Sequence, residues 1–423
     1  MKKIVLISSL ALMLFGGEFQ EILQGIDKGL ALQAKSYEVE AKKRLYEAAK
    51  GMDRPTLDAS LIATRLKDTP TMYLHLPGLP VRGFPMGTER RYEGEISISY
   101  PLFSGFAITN MIEKSRLEAI KAQLKKKDLR RRLYLKAAML YGGLFSLQKK
   151  KKALIEAKKA LEQSYAKARG FYDQGLIALS DLYNIEAKLQ ETDAQIEALN
   201  AKIENFRSRL RYLSGIAPKA DELVDLLIPK RLDPLHRSDI VALQEALEVT
   251  KKEQAIVRSK FYPKVGLKAA FRRFGKSLAL DGDGFRNADE SYVGASVAIN
   301  LYHGGSDQKR LEALRYKELA QQAFLKDYIN QVMTNLESAK IELKALKASL
   351  KAAQAQVKAA KSYYELTLGR YKNQLASADE LSRSIASLAK AKGQVANVKA
   401  KIFVKKSQIL LLTSLDSFIK GMR

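Results

Sequence analysis

Two stretches of the chain, 199 residues apart, follow the same order of residue types. Residues 98–106 read ISYPLFSGF and residues 297–305 read VAINLYHGG; alternating apolar residues lead into a bulky pair and then glycine. Glycine permits the sharp change from strand to helix that this pattern suggests. We therefore expect a duplicated unit with strand-to-helix junctions at Pro101, Gly105 and Gly304, where Pro101 ends the first strand because it lacks a backbone donor.

The segments after both junctions contain no proline and follow a seven-residue repeat. Apolar residues recur at spacings of three and four along 140–172 and 182–213, and most of these positions keep their character 199 residues later. Such a repeat is typical of coiled-coil packing. A helix over residues 106–172 would be about 100 Å long at 1.5 Å per residue, so it must lie beside other helices. Each half is predicted to hold an antiparallel pair that turns near FYDQGLIALSD (171–181) or RYKNQLASADE (370–380).

Ahead of each helical pair the period changes to two, which predicts strands with one apolar and one polar face. The apolar face would carry Tyr92, Ile96, Ile98, Tyr100, Val293, Val297 and Ile299, and the polar face Glu93, Ser97, Ser99, Lys268 and Arg272. Partner strands begin after Pro55 and Pro263, and a loop of about 20 residues joins each pair. Strands of about ten residues cross a bilayer when tilted. Four strands leave open edges in lipid, so the sheet must close with copies from other chains.

The first residues indicate export. MKK precedes the apolar stretch IVLISSLALMLF and Gly16-Gly17, as in a secretory signal peptide. About twelve apolar residues are too few for a membrane-spanning anchor, the competing interpretation.

The composition argues against several functional classes. The chain has no cysteine, and its three histidines, His75, His236 and His303, lie far apart. We therefore expect no metal site, no cofactor and no catalytic residues. The net charge of +27 is compatible with nucleic-acid binding. Because the chain is predicted to be exported and its lysine runs follow a helical period, solvated helix faces explain this charge better.

The chain resembles the TolC-type outer membrane efflux protein family. The resemblance rests on PLFSG and NLYHG at the junctions, the run RSDIVALQEALEVTKKEQAIVRSKFYPKVGL (237–267) and the turn YDQGL (172–176). It implies a mainly α-helical homotrimer in which four strands per chain form a twelve-stranded barrel in the outer membrane lipid, continuous with a long helical tunnel in the periplasm. It also implies a passive conduit of a tripartite efflux or type I secretion system, with a periplasmic adaptor (membrane fusion) protein and an RND or ABC pump of the inner membrane as partners, and no nucleic acid.

The resemblance and the repeat together suggest eight segments. They are a signal peptide (1–17), an N-terminal helix (18–54), a first β-hairpin (55–103), a first long helix pair (104–216), a linker and helix (217–262), a second β-hairpin (263–302), a second long helix pair (303–415) and a C-terminal tail (416–423).

The resemblance also suggests functional residues near the helical turns. Adaptor docking would involve Tyr172, Gly175, Leu176, Tyr371, Gln374 and Leu375, and a periplasmic gate would involve Asp181, Asp379, Glu380 and Arg383. Gln374 replaces the glycine expected in the second turn, which departs from the family pattern. Ordinary turn chemistry explains Gly175 equally well, and the charges near 380 are also compatible with solvated ion pairs. Arg383 is one turn from Glu380 and is a candidate to pair with it or with a neighbouring chain.

One alternative function belongs to a different class. A periplasmic coiled-coil adaptor or scaffold would also have long helical hairpins. An adaptor would need a compact β-rich domain inserted in its hairpin, whereas here the apolar repeat runs from 140 to 213 with a break only at the turn.

Overall fold

The computed structural model describes residues 17–75, 77–285 and 287–422. All but the last residue of the predicted signal peptide lies outside the described residues. The described part holds α1 (Glu18–Asp27), α2 (Leu30–Gly51), β1 (Thr56–Arg65), β2 (Thr71–Leu74), β3 (Arg82–Pro85), β4 (Arg90–Phe103), α3 (Ala107–Asp173), α4 (Leu179–Ser214), α5 (Ser238–Arg258), β5 (Lys264–Gly275), β6 (Asp289–Ala298), α6 (Ser306–Lys372), α7 (Ala378–Thr413) and α8 (Leu415–Gly421).

The duplication predicted from the sequence is present in the helices. Helices α3 and α6 each have 67 residues, and α4 and α7 each have 36. All four pairs of helix ends differ by 199 in number, as Ala107 and Ser306 do. Only five residues separate the helices of each pair, so no inserted domain interrupts either hairpin.

The chain divides into two compact units. One contains the described residues up to Glu38, Gln123–Ala242 and those from Leu325 onward; the other contains Val39–Ala122 and Leu243–Phe324. The first unit is helical, and its largest core cluster draws on α1, α3, α4, α7 and α8. Glycines let the helices approach closely there, since a Cβ on Gly143 would lie 2.5 Å from Cε1 of Phe206 in α4. A Cβ on Gly142 would lie 2.9 Å from Cγ2 of Val404 in α7.

The second unit contains a four-stranded antiparallel sheet in the order β1-β4-β5-β6. The expectation of two similar connecting loops was wrong. Residues 66–89 join β1 to β4 and contain the β2–β3 hairpin, whereas residues 276–288 join β5 to β6. Helix α2 precedes β1 and helix α5 precedes β5. Because the first connection is longer, these two helices start at Leu30 and Ser238, and their starts are not 199 residues apart.

The C-terminal residues pack into the first unit. Residues 416–423 were expected to form a tail, but α8 begins at Leu415 and buries Phe418 completely. The backbone N–H of Leu227 donates to the carbonyl of Gly421 at 2.9 Å, and Leu226 forms an isolated antiparallel β-bridge with Met422. Among the described residues, no helix is both long enough and apolar enough to span a bilayer.

Candidate docking tips and channel surfaces

The two helical turns, which we call tip 1 (residues 171–179) and tip 2 (residues 370–378), have the same backbone conformation. In tip 1, Gly175 has φ of 70°, and its N–H donates to the Tyr172 carbonyl at 2.8 Å. In tip 2, Gln374 has φ of 61°, and its N–H donates to the Tyr371 carbonyl at 3.1 Å. A residue other than glycine costs about 1–2 kcal/mol in the left-handed conformation. The surrounding helices therefore hold tip 2 in the conformation that glycine favours in tip 1.

The predicted docking residues divide into exposed and buried groups. Tyr172, Leu176 and Leu375 are exposed, and Leu375 is the most exposed at 67%. Tyr371 is buried, and its ring meets Phe171 edge-on with centroids 6.1 Å apart. Tyr371 is thus part of the apolar cluster that joins the two tips and offers no surface for docking.

Two buried hydroxyls near the tips lack hydrogen-bond partners among the described residues. They are Thr367 Oγ1 and the Tyr371 phenol. Burial, and then the negative charge of Asp181, raises the pKa of the Tyr371 phenol, so this side chain stays neutral. An unpaired buried hydroxyl costs about 1–3 kcal/mol. Within the described residues, these two hydroxyls are the buried side-chain polar atoms that lack a hydrogen bond.

Three of the predicted gate residues, Asp379, Glu380 and Arg383, form ion pairs whose partners could not be decided from the sequence. Arg383 pairs with Asp379 at 2.7 Å on the exposed surface of α7, and not with Glu380 as considered above. Glu380 pairs with Arg370 at 3.0 Å across tip 2. Arg370 also donates to the Leu375 carbonyl at 3.0 Å. The turn geometry brings Arg370 closer to Glu380 than sequence spacing suggests, so sequence reasoning missed Arg370.

The sheet has two chemically distinct faces. Pairing of Ile98 with Leu57 and with Ala269 places these side chains on one face. The large side chains of this face are half or more exposed at Leu57, Leu61, Ile96, Ile98, Val293 and Val297. Ile299 was assigned to the same face, but β6 ends one residue earlier because its partner β5 begins at Lys264, opposite Ala298.

The opposite face carries a charged cluster. The Glu95 carboxylate accepts hydrogen bonds from Lys268 Nζ at 2.6 Å and Arg272 Nε at 2.5 Å. Arg272 also donates to the Tyr292 hydroxyl at 3.3 Å, so three strands contribute. Glu93, Ser97 and Ser99 share this face through the alternation of β4. A sheet with one exposed apolar face and one charged face separates lipid-like from aqueous surroundings.

The first strand-to-helix junction needs its glycine. Gly105 has φ of 63°, and a Cβ there would lie 2.5 Å from the Ser259 carbonyl oxygen. The next residue, Phe106, is also left-handed, and its ring packs edge-on against Phe103 and Tyr262. The second junction uses Gly304 and Gly305 in the same two positions.

Pro101 does not end the strand, contrary to expectation. Strand β4 continues to Phe103, with an irregular register between Pro101 and Phe103. The register skips Leu102, and Pro101 lies opposite Gly266 directly beside this irregularity, where its missing N–H disrupts the ladder little.

Comparison with known proteins decides the family. The model of the outer membrane efflux protein family matches residues 26–215 and 235–412, most of the chain. This chain belongs to the outer membrane efflux protein family. It is an outer-membrane channel component of an efflux system that extends into the periplasm. The family match does not support the adaptor alternative.

Solved structures show the same fold at low sequence identity. The chain is similar to CusC with a TM-score of 0.80 at 14% identity, covering 94% of this chain and 92% of that one. It is similar to the outer membrane protein VceC of Vibrio cholerae with a TM-score of 0.77 at 16% identity, covering 94% and 96%. For the CmeC outer membrane channel of Campylobacter jejuni the TM-score is 0.76 at 15% identity, covering 96% and 86%. Comparison with curated protein sequences gives no significant match.

Proposed function

We propose that three copies of this chain close their four-stranded sheets into a twelve-stranded barrel and join their helical pairs into one tunnel. The assembly is a passive conduit that receives solutes from an inner-membrane pump through a periplasmic adaptor. Family membership supports this proposal, and the two-faced sheet is the single observation that carries it.

The edges of the sheet explain why copies are needed. Among the described residues, β1 pairs only with β4 in this sheet and β6 only with β5. Unpaired backbone groups cost several kcal/mol each in lipid, where water cannot bond them. An edge from a second copy satisfies those groups and leaves the apolar face of Ile96 and Ile98 toward lipid.

Cysteine labelling tests this orientation cleanly, because the chain has no cysteine of its own. Ile98→Cys and Ser99→Cys place thiols on opposite faces of β4. A membrane-impermeant maleimide applied to intact cells should label position 99 from the water-filled lumen and leave position 98 unlabelled. Equal labelling of both positions would rule out the barrel orientation.

The tips are the part of the tunnel that we propose docks the adaptor. Their exposed apolar side chains, Tyr172, Leu176 and Leu375, support this assignment together with Gly175 and Gln374 at the turns. Asp181, Asp379, Glu380 and Arg383 lie next to these turns, and we propose that they line the periplasmic entrance. The pump class, RND or ABC, depends on the adaptor that the tips accept.

Substitution of Gly175 tests docking. No atom of the described residues lies within 4 Å of a Cβ at this position, so Gly175→Trp adds bulk outside the packed tips. We expect the variant to form a heat-sensitive trimer on gels but to lose export. Gly175→Gln is the matched control, because Gln374 adopts the same backbone in tip 2, and it should keep both properties. Normal export by Gly175→Trp would refute tip docking.

A further inference from the structure

The positive charge of the chain is concentrated on three neighbouring helical stretches. Residues 149–159 of α3, 340–361 of α6 and 390–406 of α7 each contain six lysines, and together they contain only two acidic residues, Glu156 and Glu342. We call these three stretches the lysine belt. Helix α4, which packs beside them, carries acidic and basic residues in nearly equal numbers.

Two grooves run along the contact between α3 and α7, and both are lined with lysine. The first contains Lys149, Lys152, Lys392 and Lys399. The second, which also borders α4, contains Lys150, Lys188 and Lys390. Ala153 and Ala396, which line the first groove, are buried at the contact, as are Ala157 and Ala389, which line the second.

Helix geometry places the grooves on opposite sides of this contact. Successive residues advance by about 100° around a helix of 3.6 residues per turn. Lys149 and Lys150 therefore point to different sides of α3. On α7, Lys399 points about 180° away from Lys390 by the same measure. Helix α3 thus presents Lys149 to the first groove and Lys150 to the second. Helix α7 presents Lys399 to the first groove and Lys390 to the second.

Few of these charges are neutralised within the chain. Lys392 pairs with Glu156 at 2.6 Å, and Lys188 pairs with Glu191 at 2.7 Å. Lys149, Lys150, Lys152, Lys390 and Lys399 form no salt bridge within the part of the chain that the structure describes. Each groove therefore keeps a net positive charge.

A tunnel wall made of packed helices has one side toward the lumen and one toward the periplasm. Because both sides of the α3–α7 contact are cationic, the lumen side is cationic whichever groove it holds. Threefold repetition turns each lysine of the lumen side into a ring. Rings of lysine or arginine in a pore favour anions, and a charged cleft with low-dielectric walls concentrates ions of opposite sign.

We propose that the lysine belt makes this channel anion-selective and that its exported solutes are anionic. The inference rests on the proposed conduit function and names the chemical class of its cargo. A solute with carboxylate, phosphate or sulfate groups would be attracted along the middle of the tunnel, whereas a cationic solute would be repelled there.

The test is the ion selectivity of the purified full-length protein in planar bilayers under a KCl gradient. We expect chloride to permeate more readily than potassium. Two matched double variants, Lys150→Gln with Lys390→Gln and Lys149→Gln with Lys399→Gln, each remove one lysine from α3 and one from α7. One double variant should lower the chloride-to-potassium permeability ratio by about twofold or more, and the other should leave it nearly unchanged. The responsive pair then marks the lumen side.

The outcomes separate this inference from the proposed function. A protein that inserts into bilayers but forms no channel refutes the conduit itself. A channel that prefers potassium overturns the inference and leaves the conduit intact. An anion-selective channel whose permeability ratio neither double variant lowers also overturns it, because the belt would then not be the source. If the parent channel is not anion-selective but a double variant loses export, the inference is also overturned, and the belt would instead bind an acidic protein partner.

Discussion

The C-terminal helix should be needed for stability, because Phe418 lies at the centre of the helical core. Its side chain is fully buried, and its ring lies 6.4 Å from that of Phe19 at an interplanar angle of 85°. The ring of Tyr134 lies 6.1 Å away on α3. Ser414 fixes the start of α8, since its hydroxyl accepts a hydrogen bond from the Ser417 N–H at 2.9 Å. Helix α8 thus contacts α1 and α3 through Phe418 and follows directly after α7.

Replacing Phe418 by alanine removes a buried ring and leaves a cavity. Such substitutions cost about 3–5 kcal/mol, and the ring contacts with Phe19 and Tyr134 place this site toward the upper end. With an unfolding entropy of about 2.1 cal/mol/K per residue, the loss corresponds to a fall in Tm of about 3–6 °C for a chain that unfolds as one unit.

Thermal unfolding of the detergent-purified protein, followed by circular dichroism, measures this loss. Ile419→Ala is the matched control, because Ile419 is the next residue of the same helix and is 41% exposed. The control should lose about 1 kcal/mol or less, since less apolar area leaves the core. If Phe418→Ala unfolds at the wild-type temperature, residues 415–422 are a detached tail and the core assignment is wrong.

Four further predictions concern the buried polar groups and the entrance. Tyr371→Phe should leave the thermal midpoint unchanged or raise it, because its hydroxyl lacks a partner. Tyr134→Phe should cost about 1.5–3 kcal/mol, because its hydroxyl donates to Asp27 at 2.9 Å; equal shifts in the two variants would contradict the pairing. Burial opposes ionisation of Asp239, but hydrogen bonds from Arg237 and Tyr328 outweigh it and hold the pKa of Asp239 below its usual 3.8. Asp239 therefore stabilises the fold above that pH and loses its contribution as pH falls through the lowered pKa, so the Tm difference between wild type and Asp239→Asn should shrink between pH 6 and pH 3; a constant difference would refute the linkage. Asp379→Ala combined with Glu380→Ala should weaken block by multivalent cations in planar bilayers, and unchanged block would remove these residues from the entrance.

The sequence was sufficient to predict the helices and the strand phase, because both depend on long periodic patterns. A heptad repeat sustained without proline leaves little freedom in where helices such as α3 and α6 run. The same holds for the faces of β4, since a shift of one residue would turn Ile98 toward the charged cluster of Glu95.

The features that sequence reasoning missed depend on tertiary contacts. Helix α8 has seven residues, too few to show a period, and it forms because Phe418 finds a pocket between α1 and α3. The pairing of Glu380 with Arg370 depends on the turn that brings the two helices together. The end of β6 at Ala298 depends on where its neighbour β5 begins. None of these contacts is encoded by the residues in one segment alone.

Where the repeats differ in sequence, they still agree in backbone conformation. Tip 1 uses Gly175 and tip 2 uses Gln374 for the same left-handed residue, and the junctions use Phe106 and Gly305 in the same way. Each non-glycine residue there costs about 1–2 kcal/mol, which long helices with buried contact surfaces can offset. At Phe106 the compensation is visible in the edge-on contacts with Phe103 and Tyr262. In the proposed tube, the requirement for equal heights acts on the backbone, so residue identity at the turns is free to diverge and to present different side chains to a partner.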